Sequence, residues 1–305
     1  MNNFSVHILG SSAAIPSVNR SCSGHFVSCN NRNILIDCGE GTQLQLRRFN
    51  LPIQRINTIL ISHLHGDHFY GLPGLLGTMS LLGRTSGIEV FGPAELENIL
   101  EVIFKSGQTR LNFPFTFHPI DCTAKHIIFE DAGIKIHAFP LRHRITTFGF
   151  SIEEKHQRFS LDKKKLEEFN ISNEQRKLLA RGGDFQRIDG TWIRYNDFAG
   201  PKRPVRVYSY CSDTMPFQAL DEYLQGTTTL YHEATFMQDQ KKRAVETFHS
   251  TAEDAAQQAL RSGINLLLIG HFSSRYQEIE GFENEARQIF VPTSAVKDGD
   301  CFQVR

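Results

Sequence analysis

The 305-residue sequence has no surplus of charge of either sign, because 33 lysines and arginines balance 33 aspartates and glutamates. A neutral chain has no overall field that draws it to nucleic acid or to an acidic membrane, so any site for a polyanion must be local. The sequence also lacks an apolar stretch long enough to cross a bilayer, and it has no charged leader followed by an apolar run. We therefore expect a cytoplasmic protein without a membrane segment.

Cysteine is scarce and scattered. The six cysteines include no Cys-x-x-Cys pair, which argues against a zinc ribbon and favours reduced thiols over disulfides. We therefore expect most of them to be packing residues. The length allows one large α/β domain or two small ones, and either would bury a sizeable core.

Histidine, in contrast, is concentrated in residues 62–68, which read Ser-His-Leu-His-Gly-Asp-His. The apolar residues 56–61 predict a buried strand before this stretch and residues 69–82 predict a helix after it, so the cluster lies at a strand end. Imidazole and carboxylate suit zinc or a similar divalent ion, and the glycine lets the backbone bend enough to present them together. The pattern predicts a metal site here rather than a polar turn.

Three further predicted strands end close to a residue that could hold a metal ion. These residues are His143, Asp213 and His271. A carboxylate can bridge two metal ions, so Asp213 is a candidate bridging ligand, and Cys211 is an alternative, softer ligand. Asp37 also ends a predicted strand, but we expect it to brace its loop, because aspartate orders turns and caps helices readily.

Strands alternate with helices along most of the chain, which predicts a layered α/β domain. Residues 153–204 interrupt this alternation with polar and charged sequence. Ser160 is predicted to cap one helix, and Ser172 with Gln175 to form a capping box for a second. Lysines and arginines enrich the stretch, although glutamates dilute their charge. It is either a solvated helical insert or an arm that grips a polyanion.

Several motifs occur together along the chain. They are Asp37-x-Gly-Glu-Gly-Thr-Gln, Ser62-His-x-His-Gly-Asp-His-x-x-Gly-Leu-Pro-Gly, His232-Glu-Ala-Thr, His249-Ser-Thr and Gly270-His-Phe-Ser-Ser-Arg-Tyr. The set resembles the metallo-β-lactamase superfamily and, more narrowly, its ribonuclease Z family of tRNA 3′-processing endonucleases. The resemblance spans essentially the whole chain. It implies a single α/β domain over residues 1–305, a metallo-β-lactamase-like αβ/βα sandwich with a helical insert, and a homodimer.

The resemblance also implies two zinc ions per chain and assigns their ligands by position. One ion would be held by His63, His65 and His143, the other by Asp67, His68 and His271, with Asp213 between them. Two such ions lower the pKa of a water between them and neutralise phosphate oxygens during in-line attack. Asp67 is the expected acceptor of the water's proton.

The activity implied by the resemblance is removal of the 3′ trailer from precursor tRNA, leaving a 3′-hydroxyl on the tRNA and a 5′-phosphate on the trailer. His249 is the expected proton donor to the leaving oxygen, and Glu233 would orient its ring. Arg275 would contact a phosphate. In the arm at residues 153–204, the expected contacts to tRNA are Arg176, Lys177 and Arg181.

Two segments depart from the family pattern. The family usually has a Pro-x-Lys-x-Arg-Asn-like loop near the N-terminus, whereas residues 16–21 read Pro-Ser-Val-Asn-Arg-Ser and lack one basic residue. The family arm normally has a Gly-Pro-rich tip, whereas residues 171–177 read Ile-Ser-Asn-Glu-Gln-Arg-Lys. Helix-forming residues in place of glycine and proline predict a different fold of the tip.

Two other functions stay open at this point. A metallo-hydrolase acting on small phosphodiesters or esters would need the metal ions but not a distant basic arm. A non-catalytic RNA-binding protein would not need all seven presumptive ligands. Salt dependence separates the first from a tRNA endonuclease, because an enzyme that grips several phosphates loses substrate affinity steeply as salt rises.

Overall fold

Two seven-stranded sheets form the centre of the protein in the computed structural model, which describes residues 4–155, 160–200 and 204–305. In chain order the strands are β1 (Phe4–Gly10), β2 (Ser12–Ala13), β3 (Gly24–Cys29), β4 (Arg32–Ile36), β5 (Thr58–Leu60), β6 (Ile88–Gly92), β7 (Phe115–Pro119), β8 (His126–Glu130), β9 (Ile134–Pro140), β10 (Phe148–Glu154), β11 (Phe185–Gln186), β12 (Trp192–Ile193), β13 (Val207–Cys211), β14 (Thr229–Glu233), β15 (Leu266–Gly270), β16 (Phe272–Ser273), β17 (Thr293–Ala295) and β18 (Cys301–Gln303).

Helices follow or connect many of these strands. They are α1 (Thr42–Arg48), α2 (Gly66–Phe69), α3 (Leu72–Leu81), α4 (Glu95–Ser106), α5 (Lys163–Glu168), α6 (Asn173–Leu179), α7 (Tyr195–Phe198), α8 (Leu220–Tyr223), α9 (Lys241–Thr247), α10 (Ala252–Arg261) and α11 (Glu280–Arg287), with 3₁₀ turns at Ile53–Arg55 and Gln238–Gln240. Across the three described ranges, no helix combines the length and the apolar composition needed to span a membrane.

The layers follow from where the apolar side chains are buried. The first sheet has the strand order β18-β1-β3-β4-β5-β6-β7 and the second has the order β17-β15-β14-β13-β10-β9-β8. Side chains such as Ile34 of the first sheet and Phe150 of the second share one buried core between the sheets. A second core joins the first sheet to α3 and α4, and a third joins the second sheet to α10 and α11. This is the predicted αβ/βα sandwich.

Strand direction brings the candidate site residues to one edge of the second sheet. Strands β13, β14 and β15 are parallel, so their carboxyl ends lie side by side. Strand β9 is antiparallel to β10, which is antiparallel to β13, so β9 runs in the same direction as β13. The loops that carry His143, Asp213, Glu233 and His271 therefore leave the sheet at the same edge.

The predicted helix at residues 69–82 is divided into α2 and α3 by a close backbone contact at Gly71. Its N–H donates to the carbonyl of Cys38 at 2.9 Å. A Cβ atom at this position would lie 2.2 Å from the carbonyl oxygen of Gly39. The glycine thus lets the histidine-bearing segment pack against the loop that follows Asp37.

The insert is a small folded unit with its own core. Residues 160–200 contain α5, α6, the β11–β12 hairpin and α7, packed around Leu166, Ile171, Leu179, Ile193 and Phe198. Strand β10 runs through Glu154, two residues into the stretch predicted as the insert. At residues 171–177, helix α6 forms much of the expected tip.

The two predicted helix caps in the insert have different outcomes. The capping box of Ser172 and Gln175 is confirmed. The predicted cap at Ser160 is wrong, because the carboxylate of Asp162 accepts from the N–H groups of Lys164 and Lys165 and starts α5 two residues later. An aspartate carboxylate and a serine hydroxyl are comparable caps, so the sequence alone did not distinguish them.

Two glycines near α3 test how much the backbone contact at Gly71 matters. Gly71→Ala should destabilise the protein by about 1–3 kcal/mol, because the added methyl group meets backbone rather than a movable side chain. Gly77→Ala, in the middle of the same helix, has open space around its Cβ and should stabilise the protein by about 0.5–1 kcal/mol. Urea unfolding of both variants measures the two effects, and equal midpoints would contradict this interpretation.

Candidate metal centre

Three overlapping groups of side chains could hold a metal ion, and the third joins His249 to Asp213 and His271. In the first group, four donor atoms from three loops converge. His63 Nε2 lies 3.1 Å from His65 Nδ1, and His143 Nε2 lies 3.3 Å from the same atom. The carboxylate oxygen Asp213 Oδ2 is 3.6 Å from His63 Nε2 and 3.8 Å from His143 Nε2. These four side chains form one possible metal-binding group.

The second group combines the rest of the histidine-rich stretch with His271. His68 Nε2 lies 3.3 Å from His271 Nε2, and Asp67 Oδ2 lies 3.4 Å from each of these nitrogens. The other oxygen of the shared carboxylate, Asp213 Oδ1, is 3.4 Å from His68 Nε2 and 3.3 Å from His271 Nε2. Asp213 therefore turns one oxygen towards each group, as a bridging ligand would.

The separations between donor atoms fit zinc. Zinc–nitrogen bonds of about 2.0–2.1 Å place tetrahedral ligands about 3.3 Å from one another, close to the distances in both groups. Asp213 is 3% exposed, and its Oδ1 is buried without a hydrogen-bond partner among the described residues. A buried, unpaired carboxylate oxygen is costly unless something compensates it, and a divalent cation would do so.

Groups outside the two donor sets fix the orientation of the imidazole rings. His68 Nδ1–H donates to Asp37 Oδ2 at 2.7 Å, and His143 Nδ1–H donates to the carbonyl of Phe248 at 3.0 Å. Each bond leaves Nε2 with its lone pair facing the group. His271 Nδ1 similarly contacts the Thr235 hydroxyl at 3.1 Å. The rings are thus held in the tautomers that metal binding requires.

Asp37 braces this arrangement, as predicted. Besides the bond from His68, its carboxylate accepts from the Ser62 N–H at 2.7 Å, the Ser62 hydroxyl at 2.8 Å and the Tyr210 hydroxyl at 2.7 Å. All of these groups are buried. The carboxylate is therefore fully occupied as a support for the first loop and is absent from both donor groups.

The electrostatics favour a cation. Burial lowers the pKa of His63, His65 and His143, which keeps these rings neutral, the form that binds metal. Burial also opposes a charge on His68, but the nearby carboxylates, Asp67 first, outweigh it and raise the pKa of His68 well above its usual value. The pocket thus concentrates negative charge that attracts either a proton or a metal ion.

His249 and Glu233 form a pair beside the two donor groups. His249 Nδ1 lies 2.8 Å from Glu233 Oε1, and the Glu233 carboxylate also accepts from the N–H groups of Thr214, Thr235 and Ser250. His249 Nε2 lies 4.0 Å from Asp213 Oδ2. The ring is therefore anchored on one side and faces the donor groups with the other.

The charge of the pair depends on both carboxylates. Burial lowers the pKa of His249, but Glu233 and Asp213 outweigh this effect and raise it to about 9. Cations bound to Asp213 would oppose that rise. Burial by itself would raise the pKa of Glu233, but the field of His249 and the hydrogen bond between them lower it. The pair can therefore hold a proton on His249 above neutral pH.

A cavity of about 580 Å³ opens onto this site. Its lining includes ligand candidates together with the exposed side chains of Arg144, Arg243 and Arg275. Of these three arginines, only Arg275 is expected from the sequence motifs. Arg144 directly follows His143 and could have been inferred from that adjacency, whereas nothing in the sequence pattern marks Arg243. The three guanidinium groups give the cavity a local positive surface.

Arg20 and the arm residues lie elsewhere. Arg20, in the departing N-terminal loop, is buried, and its Nη2 donates to the carbonyls of Tyr276 at 2.6 Å and Ser273 at 3.4 Å. It therefore holds the loop that carries Arg275. The proposed arm contacts Arg176, Lys177 and Arg181 do not line the cavity.

Cys211 is not a ligand candidate in the structure. Its side chain is buried in the core beneath the second sheet and belongs to neither donor group. Burial raises the pKa of its thiol, so it stays protonated and packs as a small apolar residue. Asp213, two residues later, is beyond the end of β13 and reaches the site instead.

Comparison with known proteins places the chain in a family. Ribonuclease Z of Porphyromonas gingivalis is 41% identical over 298 residues, which cover 98% of each chain. This chain belongs to the ribonuclease Z family. Human tRNase Z, short form, matches with a TM-score of 0.72 and 29% identity over 99% of each chain. The resemblance inferred from the motifs is thereby confirmed.

Two other similarities concern the fold and the first part of the chain. The metallo-β-lactamase fold protein YhfI of Bacillus subtilis has a TM-score of 0.70 at 16% identity over 99% of this chain and 100% of its own, which confirms the predicted fold. Residues 4–181 also match, and so belong to, a family described as anti-Pycsar protein Apyc1. That match ends before Asp213, Glu233, His249 and His271.

The ligand assignment predicts different effects for two buried residues. His63→Ala should lower bound metal, because it removes one donor atom from the first group. Cys211→Ser should leave metal content unchanged, because the thiol lies in the core. Metal analysis of both purified variants after dialysis tests the assignment. Loss of metal from the Cys211 variant would reverse it.

Proposed function

We propose that this member of the ribonuclease Z family is a zinc-dependent endoribonuclease that removes the 3′ trailer of precursor tRNA in the cytoplasm. Cleavage would leave a 3′-hydroxyl on the tRNA and a 5′-phosphate on the trailer. The observation that carries the proposal is the pairing of two donor groups across Asp213, with the His249–Glu233 pair beside them. The geometry suits phosphodiester hydrolysis, and the relatives named ribonuclease Z and tRNase Z point to the substrate.

We further propose two zinc ions per chain, because the site offers seven ligands and a single tetrahedral site uses four. When bound, two such ions activate a water and neutralise the phosphate oxygens of the substrate. Asp213 would keep the two donor groups at a fixed spacing. Asp67 Oδ2 accepts the N–H of Ala14 at 2.8 Å, which fixes this carboxylate as a ligand and leaves its other oxygen as the candidate proton acceptor.

His249 is proposed as the proton donor to the leaving 3′-oxygen. Its Nδ1 is occupied by Glu233, so the available proton is on Nε2, which faces the cavity. The Glu233 carboxylate is fully buried and anchored by backbone N–H groups, so it holds the ring without moving. A rigidly held donor within reach of the reacting phosphate is what general acid catalysis needs.

The substrate would be held at two places. Arg144, Arg243 and Arg275 surround the cavity and can pair with phosphates on either side of the cleaved bond. We propose that residues 153–204 form an arm inserted into a single domain, and that Arg176, Lys177 and Arg181 contribute phosphate contacts away from the cavity. The alternative, a hydrolase for small phosphodiesters, has no evident use for a separately folded insert.

A direct test uses the metal-loaded protein and a 3′-extended tRNA precursor. We expect one cut near the 3′ end, a 3′-hydroxyl on the tRNA and a 5′-phosphate on the trailer, all identified by mapping both product ends. KM for the precursor should rise steeply between 50 and 200 mM salt, in the manner of proteins that contact several phosphates. A protein that hydrolyses bis(p-nitrophenyl) phosphate but leaves the precursor intact would support the small-substrate alternative.

The role of His249 predicts a dependence on the leaving group. His249→Ala should keep its metal ions and near-normal tRNA binding, yet lower kcat on precursor tRNA by roughly 10²–10⁴-fold, the range for loss of one positioned proton donor. The defect should shrink on bis(p-nitrophenyl) phosphate, because nitrophenolate leaves without a proton. Equal defects on both substrates would assign His249 to positioning instead.

We also propose a homodimer, as the family resemblance implies. Several apolar side chains on the outer helices are exposed, namely Leu44 on α1, Leu81 at the end of α3 with Leu82 after it, and Val102 and Ile103 on α4. A dimer that covers them would remove apolar surface from water. Sedimentation equilibrium at micromolar concentration tests this, and a monomer mass would exclude the proposal.

A further inference from the structure

We propose that Trp192, on the hairpin of the insert, stacks on a nucleobase of the precursor tRNA at a distance from the cleaved bond. This inference rests on the proposed function. It replaces a purely electrostatic arm with one that also makes an apolar, base-directed contact.

The hairpin forces Trp192 towards solvent. Strands β11 and β12 pair Phe185 with Ile193 and Gln186 with Trp192. Neighbouring residues of a strand point to opposite faces. Ile193 is buried in the core of the insert, so Trp192 lies on the other face, where 58% of it is exposed. Ile188, in the turn, is also fully exposed. The insert thus presents an apolar, aromatic surface that its own core does not need.

The turn that carries this surface is well ordered. Arg187 N–H donates to the Thr191 carbonyl at 2.9 Å, and Gly190 N–H donates to the Arg187 carbonyl at 2.9 Å. The Asp189 carboxylate accepts from Thr191 N–H at 2.9 Å. Gly190 has φ of +87°, a conformation that glycine adopts without strain. A surface held in this way loses little conformational entropy when it binds a partner.

Exposed cations of the insert can meet an anionic partner, although Glu167, Glu168 and Glu174 are exposed as well. Three aspartates of the insert accept hydrogen bonds from backbone N–H groups. Asp162 accepts them at the start of α5, Asp184 accepts one from Tyr195 and Asp189 accepts one within the turn. Lys177, Arg181 and Arg194 are exposed, and within residues 4–155, 160–200 and 204–305 no ion pair involves them. Arg194 follows Trp192 by two residues in the chain, and an exposed aromatic ring with a cation close by in the sequence matches RNA, in which bases lie beside phosphates.

The insert is attached far from the metal ligands. It joins the sandwich between the end of β10 at Glu154 and the start of β13 at Val207, whereas Asp213 follows the opposite end of β13. Strand β13 has five residues, which corresponds to a length of about 15 Å between the two ends. Among residues 160–200, none lines the cavity. The base contacted by Trp192 would therefore belong to the body of the tRNA, beyond the end that is cut.

Trp192 is the only tryptophan in the chain, so intrinsic fluorescence reports on this position alone. Titration of the metal-loaded protein with full precursor tRNA should quench the emission, because stacking on a base brings the indole ring into contact with it. A shortened substrate that keeps only the acceptor stem and the trailer should be cleaved but should quench little. Salt should weaken binding without abolishing the quenching at saturation.

Kinetics with matched variants completes the test. Trp192→Ala should raise KM for full precursor tRNA by about 5- to 150-fold, which corresponds to the usual 1–3 kcal/mol for one stacked base. Trp192→Phe, which keeps an aromatic ring, should stay within a few-fold of the parent. Neither change should alter kcat, metal content or cleavage of the shortened substrate.

The possible results separate this inference from the proposed function. If the parent protein does not cleave precursor tRNA, the proposed function is wrong. If the parent cleaves it but Trp192→Ala has an unchanged KM, or saturating tRNA leaves the emission unchanged, the stacking contact is absent. Equal losses on full and shortened substrates would show that Trp192 supports the fold of the insert. A change in sedimentation of Trp192→Ala without RNA would assign the surface to a second copy of the chain and overturn the inference.

Discussion

The carboxylate of Asp213 is the constraint on which the site depends. Its two oxygens face different donor groups, and Oδ1 is buried without a hydrogen-bond partner within the described part of the chain. A desolvated anion in this position is stable only when positive charge surrounds it. The histidines can therefore serve two purposes, since they are candidate metal ligands and also line the pocket around the anion. The fold that brings the candidate ligands together therefore also creates the negative charge of the site.

The sandwich brings these groups together because buried side chains support the loops that carry them. Asp37 supports His68 and Ser62 from the first sheet, and the hydroxyl of Tyr210, from the second sheet, donates to the same carboxylate. One buried carboxylate thus joins the two sheets at the edge where the ligands meet. Asp37 and His271 both have positive φ, 56° and 60°, which is uncommon for residues other than glycine. The backbone strain at these two positions is balanced by the contacts that their side chains make.

Much of the site could be predicted from the sequence, because its candidate ligands lie in short motifs at strand ends. His63 to His68 lie within six residues, and the parallel strands β13, β14 and β15 bring Asp213, Glu233 and His271 to one edge by a general rule of such sheets. Arg243 could not be predicted, because it reaches the cavity from a surface helix that has no motif. The burial of Arg20 could not be predicted either. An arginine in a loop is normally exposed, and the partners of Arg20 are carbonyls of a loop far away in the sequence.

The insert and the metal centre can vary independently, because they are attached at opposite ends of the same strand. Within the described part of the chain, every ligand candidate lies before residue 153 or after residue 204, and the insert has its own core. A substitution on its solvent face therefore changes no contact of the site. This separation explains how the sequence can keep the full set of candidate ligands while residues 171–177 depart from the family pattern. In the proposed function, the exposed face of the hairpin would contact the tRNA body, while the buried carboxylates and histidines would serve cleavage.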